Sequence, residues 1–118
     1  MNNPIYNIHK SSLFIRQAQA SILYYKQNAG IEISEKFIMS LESALGFIAV
    51  NPYACAVYKV GKKFKYTESY QFRKWNIIGF PYSIFFHISV DNIIIVDAIY
   101  AHKMNISSRL TNNAQKPK

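Results

Sequence analysis

The spacing of apolar residues predicts a short strand followed by a helix at the start of the chain. Residues 4–10 alternate between two sides, as expected of a strand. Residues 13–29 carry apolar side chains every three or four positions, which predicts an amphipathic helix. Ser11 or Ser12 is expected to cap it, because a serine hydroxyl accepts a hydrogen bond from the amides of the first turn.

A second helical pattern restarts at Ile31 and ends before Asn51 and Pro52. The link between the two helices is closed by Gly30, a residue that adopts the left-handed conformation at helix ends readily. Because almost no linker separates them, the helices are expected to fold back as an antiparallel hairpin.

The most hydrophobic stretch, residues 79–103, predicts the centre of a sheet. Residues 82–90 and 93–101 are rich in Ile, Val, Phe and Tyr, which favour strands. Asp91 and Asn92 between them tolerate positive φ, so a two-residue turn is expected to join an antiparallel pair.

The second of these strands is apolar on both faces except for Asp97. Helices can cover one face of the sheet, so some apolar surface is expected to be left for a partner. A plainer interpretation of Asp97 is an ion pair with Arg73 or Lys74.

The remaining segments complete an α+β prediction. Residues 53–75 are assigned two strands whose boundaries stay open, and residues 111–118 have the composition of a flexible tail. The predicted domain, residues 1–110, is therefore an N-terminal strand and a two-helix hairpin packed on one face of a four- to five-stranded, mainly antiparallel sheet.

Composition restricts the classes of function. The chain has 118 residues, of which 50% are hydrophobic, and it has the size of one folded domain. The lone Cys55 allows no intrachain disulfide and no metal site built on cysteines. The sequence contains no membrane span and no secretory leader pattern, so a cytoplasmic protein is expected.

The charge is strongly basic and unevenly placed. Lys and Arg exceed Asp and Glu by 14 to 6, which gives a formal charge of +8 and favours polyanions or an acidic protein as partners. Several of the cations lie close together in sequence: Lys62, Lys63, Lys65, Arg73 and Lys74. A solubilising surface loop is the plainer interpretation of this cluster.

The order of the predicted elements, together with particular residues, resembles the RelE/ParE superfamily of bacterial type II toxins. The residues that carry the resemblance are Tyr24, Tyr25, Gly30, Asn51, Pro52, Arg73, Phe80, Pro81, Tyr82 and residues 93–102 followed by Lys103. The resemblance spans about residues 6–109. It implies a small toxin that is silenced by a cognate antitoxin, often an acidic and partly disordered chain, in a hetero-oligomeric complex.

Within that superfamily, the RelE-like members are ribonucleases that cut messenger RNA in the ribosome. The resemblance makes Arg73 and Lys103 candidate catalytic residues, and His102 is a third candidate because an imidazole can act as an acid or a base near neutral pH. The residues expected to bind nucleic acid or another target are Lys62, Lys63, Lys65, Arg73, Lys74 and Arg109. Tyr66, Tyr70 and Trp75, interleaved with lysines, also leave open a module that stacks on bases.

The cleaving members carry a C-terminal tyrosine that has no counterpart here, because Ile106, Ser107 and Ser108 occupy the region. The first hypothesis is therefore a ParE-like toxin without intrinsic chemistry that inhibits DNA gyrase by protein contact. The alternative is a RelE-like, ribosome-dependent endonuclease of messenger RNA. Neither implies a cofactor or a metal ion.

Overall fold

The computed structural model describes residues 5–58 and 71–102. The elements follow in the order β1 (Ile8–Lys10), α1 (Ser12–Asn28), α2 (Ile31–Val50), a 3-10 turn (Pro52–Ala54), β2 (Ala56–Val57), β3 (Arg73–Asn76), β4 (Tyr82–Ile88) and β5 (Ile94–Ala101). The strands form one five-stranded sheet in the order β1-β5-β4-β3-β2, in which only the β1–β5 pair is parallel. The predicted α+β architecture is confirmed.

The ends of both helices follow from local sequence. The Ser11 side chain accepts a hydrogen bond from the Phe14 amide at 3.0 Å, so Ser11 is the N-cap. Gly30, with φ 96° and ψ 164°, joins the helices in a region that is adopted almost only by glycine. α2 ends where predicted, before Asn51 and Pro52.

The helices and one face of the sheet enclose the main core. Phe37 and Ile48 of α2 are fully buried against Ile84 and Phe86 of β4. Tyr25 lies beside Phe37, with 5.1 Å between the ring centroids, and belongs to this packing. Burying a Phe or Ile side chain contributes about 1.5–3 kcal/mol, so these contacts orient the helix pair on the sheet.

The opposite face of the sheet is also buried, which corrects one prediction. Phe72, Phe85, Ala98 and Tyr100 form a second cluster, and none of them is more than 4% exposed. The expectation that apolar surface on this face of β5 is left for a partner is therefore wrong. Leu13, at the start of α1, packs against this cluster.

The turn between β4 and β5 differs from the predicted two-residue turn. The Ser89 amide donates to the Ile93 carbonyl at 2.9 Å, and the Asn92 amide donates to the Ser89 carbonyl at 3.0 Å. Asn92 alone has positive φ, at 59°. This is a three-residue loop that ends in one left-handed residue. The Ser89 hydroxyl accepts from the Ile93 amide at 3.2 Å and so stabilises the longer loop.

A β-bulge interrupts the β4–β5 ladder next to α1. Phe86 pairs with Val96 whereas Phe85 pairs with Ala98, so Asp97 is the extra residue. Two side chains of α1 bond the backbone there: Ser11 Oγ donates to the Asp97 carbonyl at 2.8 Å, and Gln17 Oε1 accepts from the Ile99 amide at 2.8 Å. The first helix is thereby fixed to β5 at the bulge.

Candidate functional site

Arg73, a candidate catalytic and binding residue, lies on β3 opposite Phe86. Its Nη1 donates to the Cys55 carbonyl at 2.9 Å and lies 3.5 Å from the Tyr53 carbonyl. The guanidinium carbon is 5.2 Å from the centroid of the Tyr53 ring, close enough for a cation–π contact. Arg73 therefore holds the 3-10 turn against the sheet, and part of its hydrogen-bonding capacity is used in doing so.

A polar cleft of about 340 Å³ opens beside Arg73. Its described lining consists of Tyr53, Gln71, Arg73, Ile88, Ser89, Val90 and Asn92. Arg73 is the only charged residue in that described lining, so the cleft is suited to an acidic or neutral polar group. Burial raises the pKa of the neighbouring Cys55 thiol to about 11, although the Arg73 charge lowers it, so Cys55 is a neutral thiol at physiological pH and a poor nucleophile.

His102, the second candidate catalytic residue, is exposed and directly follows β5. Its Nε2 lies 3.1 Å from Ser83 Oγ, and Ser83 Oγ in turn donates to Asn76 Oδ1 at 2.5 Å. A hydroxyl has one hydrogen to donate, so the Ser83 oxygen is the acceptor and His102 Nε2 carries a proton. Ser83 is only 1% exposed, and its hydroxyl is bonded on both sides, so it is unsuited to attack a substrate.

The structure does not bring Arg73 and His102 together. Arg73 shares the helix-covered face of the sheet with its partner Phe86, whereas His102 bonds Ser83 on the other face. Ser83 and Phe86 are three residues apart on β4, which is roughly 10 Å along the strand. One substrate phosphate cannot contact both side chains in this arrangement.

The other predicted site residues divide into two groups. Lys74 projects from the face of β3 opposite to Arg73, and its Nζ lies 5.7 Å from the centroid of the Tyr58 ring. Five candidates lie outside the described residues: Lys62, Lys63, Lys65, Lys103 and Arg109.

A buried polar pair that sequence reasoning missed lies on the face away from the helices. His87 Nδ1 and Asp97 Oδ2 are 2.8 Å apart, and His87 is 5% exposed. Asp97 thus pairs with His87, and the predicted ion pair with Arg73 or Lys74 is wrong. The predicted two-residue turn would have placed Asp97 opposite Phe86, on the wrong face. The longer turn shifts the register by one residue and turns Asp97 towards His87.

Among the residues that the structure describes, no group of three His, Cys, Asp or Glu side chains is arranged to hold a metal ion. No helix in the same residues is long and apolar enough to cross a membrane. What the described side chains offer is hydrogen bonding, stacking and positive charge, together with the apolar surface beside α2.

The fold that the geometry defines is α+β and RelE/ParE-like, which confirms the fold expected from the resemblance. The chain is similar to a chain of the solved structure "Chromosomal ParDE TA system from P. aeruginosa", with a TM-score of 0.62 and 12% sequence identity. The likeness covers 84% of this chain and 98% of that chain. No protein-family model and no curated protein matches the sequence.

Proposed function

We propose that this chain is the toxin of a bacterial type II toxin–antitoxin pair, acts in the cytoplasm, and inhibits DNA gyrase by protein contact. The observation that carries the proposal is the fold likeness, which extends over 98% of a chain from a ParDE toxin–antitoxin structure. At 12% identity that likeness concerns the backbone arrangement.

The arrangement of the candidate residues supports contact rather than catalysis. Arg73 is bonded to the carbonyl of Cys55, and His102 lies on the other face of the sheet. General acid–base cleavage of RNA needs its groups within hydrogen-bonding reach of one phosphate. A toxin that works by occupying a surface of its target needs no such convergence.

A ribosome-dependent ribonuclease is the second candidate, favoured by the charge of +8 and by the exposed imidazole of His102 at the end of β5. Basic side chains bind the RNA backbone, and an imidazole can act as a general acid. In that case His102 acts together with cations outside the described residues, and Arg73 has a structural role.

Induced expression in bacteria separates the two candidates. Under the proposal, growth stops, reporter plasmids lose negative supercoiling, and messenger RNA stays intact. His102→Ala is expected to leave all three results unchanged. Under the ribonuclease alternative, messages are cut at ribosomes and His102→Ala protects them. Unaffected growth in cells that accumulate the folded chain contradicts both.

A further inference from the structure

A continuous groove runs along α2 and the turn between β3 and β4. It consists of three adjoining clefts of about 440, 450 and 610 Å³. Ile78 lines all three, Met39 lines the first and third, and Trp75 lines the first and second. These shared residues make the clefts one surface, which we call the α2 groove.

The α2 groove exposes apolar side chains that the fold leaves uncovered. Ile78 is 78% exposed and Met39 is 68% exposed. Trp75 stacks on Phe47 at a centroid distance of 4.1 Å and an interplanar angle of 9°, which gives the groove a flat aromatic wall. Adjacent exposed apolar residues of this size mark sites of association more often than isolated ones do.

The same groove borders an open stretch of sheet edge. β2 pairs with Arg73 and Lys74 alone. Backbone groups alternate between the two sides of a strand, and those of Trp75 face β4, so Asn76 is left with an outward amide and carbonyl that have no strand partner within residues 5–58 and 71–102. The second cleft lies along this stretch, between it and Ala54. An extended peptide can bond to such an edge and place alternate side chains in the adjoining groove.

The charge of the groove restricts its occupant. The described lining has a lysine towards each end, Lys36 and Lys74, and contains no acidic residue. The segment 103–118 of this chain carries four basic and no acidic residues, so like charge disfavours it as the occupant. A second copy of a chain with charge +8 is disfavoured for the same reason.

We propose that the α2 groove binds an acidic, amphipathic segment of a partner protein, which in extended form bonds the outward backbone groups of Asn76. Its apolar side chains cover Ile78 and Met39, and its carboxylates lie near Lys36 and Lys74. The identity of the partner rests on the proposed function: if the chain is a toxin, the segment belongs to its antitoxin. The α2 groove is separate from the cleft at Arg73, so a segment bound in the groove leaves the cleft open.

The test is selection of displayed random peptides on the intact wild-type protein, with removal of peptides that bind the protein-free support. Selected sequences are then synthesised and titrated into the protein. Trp75 is the only tryptophan in the chain, so its fluorescence reports occupancy of the groove directly. Val90→Glu is the matched control, because Val90 is 82% exposed but lies outside the groove.

The expected peptides are acidic with interspersed apolar residues, and they shift the Trp75 emission. Ile78→Glu is expected to weaken binding at least tenfold, and Val90→Glu should leave it unchanged. Lys36→Glu or Lys74→Glu is expected to weaken it about two- to fivefold, the effect of one exposed ion pair. Selection of neutral or basic peptides, binding that Ile78→Glu does not affect, or a silent Trp75 overturns the proposal. If acidic peptides bind the groove specifically but the chain does not inhibit growth, the groove is a binding site and the proposed toxin function is wrong.

Discussion

The contact between α1 and the bulge of β5 gives a prediction that can be worked out in magnitude. Ser11 Oγ accepts from the Phe14 amide at 3.0 Å and donates to the Asp97 carbonyl at 2.8 Å. Replacing an N-cap serine by alanine costs about 1 kcal/mol. Leaving the partly buried carbonyl without this donor costs about 1 kcal/mol more, the lower end of the range for buried groups.

Ser11→Ala is therefore expected to lower the free energy of unfolding by about 2 kcal/mol, which corresponds to roughly 8 °C in melting temperature. Urea denaturation followed by circular dichroism measures the loss. Ser12→Ala is the matched control, since Ser12 is exposed and is not the N-cap; we expect a change within about 0.5 kcal/mol.

Ser11→Gly separates the two contributions. Glycine is nearly as good an N-cap as serine, with a difference of a few tenths of a kcal/mol, so most of its effect comes from the lost bond to Asp97. The expected loss is about 1 kcal/mol, between wild type and Ser11→Ala. The reasoning is refuted if Ser11→Ala is no less stable than Ser12→Ala.

Three further predictions concern the turn, the arginine and alkaline pH. Asn92→Val is expected to lower stability by about 1–2 kcal/mol, because a β-branched residue is strained at φ 59°, whereas Asn92→Gly should not; thermal denaturation compares the two, and equal values would contradict the turn geometry. Arg73→Gln is expected to cost at least about 1 kcal/mol in urea denaturation by removing the bond to the Cys55 carbonyl, with the exposed Lys36→Gln as the neutral control. The pKa of Cys55 is raised by burial from 9.0 to about 11, so the folded state binds more protons than the unfolded state between these values and stability is expected to fall as pH rises from about 9 to about 11. Cys55→Ser should make that decline shallower, and an identical decline would contradict the assignment.

The elements with strong local signals were predictable from sequence. Ser11 as the cap, Gly30 between the helices and Pro52 after α2 each act within a few residues, and the structure places the helix ends there. The central position of β4 and β5 followed from their length and their apolar composition.

Contacts that depend on the pairing register of β4 and β5 were not predictable from local sequence. A turn one residue longer than expected, stabilised by Ser89, shifts the pairing of β5 by one residue from Ile94 to Val96, and the bulge at Asp97 restores the expected register from Ala98 onwards. This is why Asp97 meets His87 rather than Arg73 or Lys74. The site prediction rested on positions along the chain, and the sheet separates Arg73 from His102 because they project from opposite faces, which no local pattern reports.

The central claim is that this chain inhibits gyrase by contact, and a supercoiling titration tests it most directly. Purified chain is added in increasing amounts to gyrase and relaxed plasmid. The account predicts that supercoiling falls to completion as gyrase becomes saturated, and that His102→Ala inhibits equally. Full supercoiling at saturating chain, with ribosome-bound messages cut by the same preparation, would contradict it.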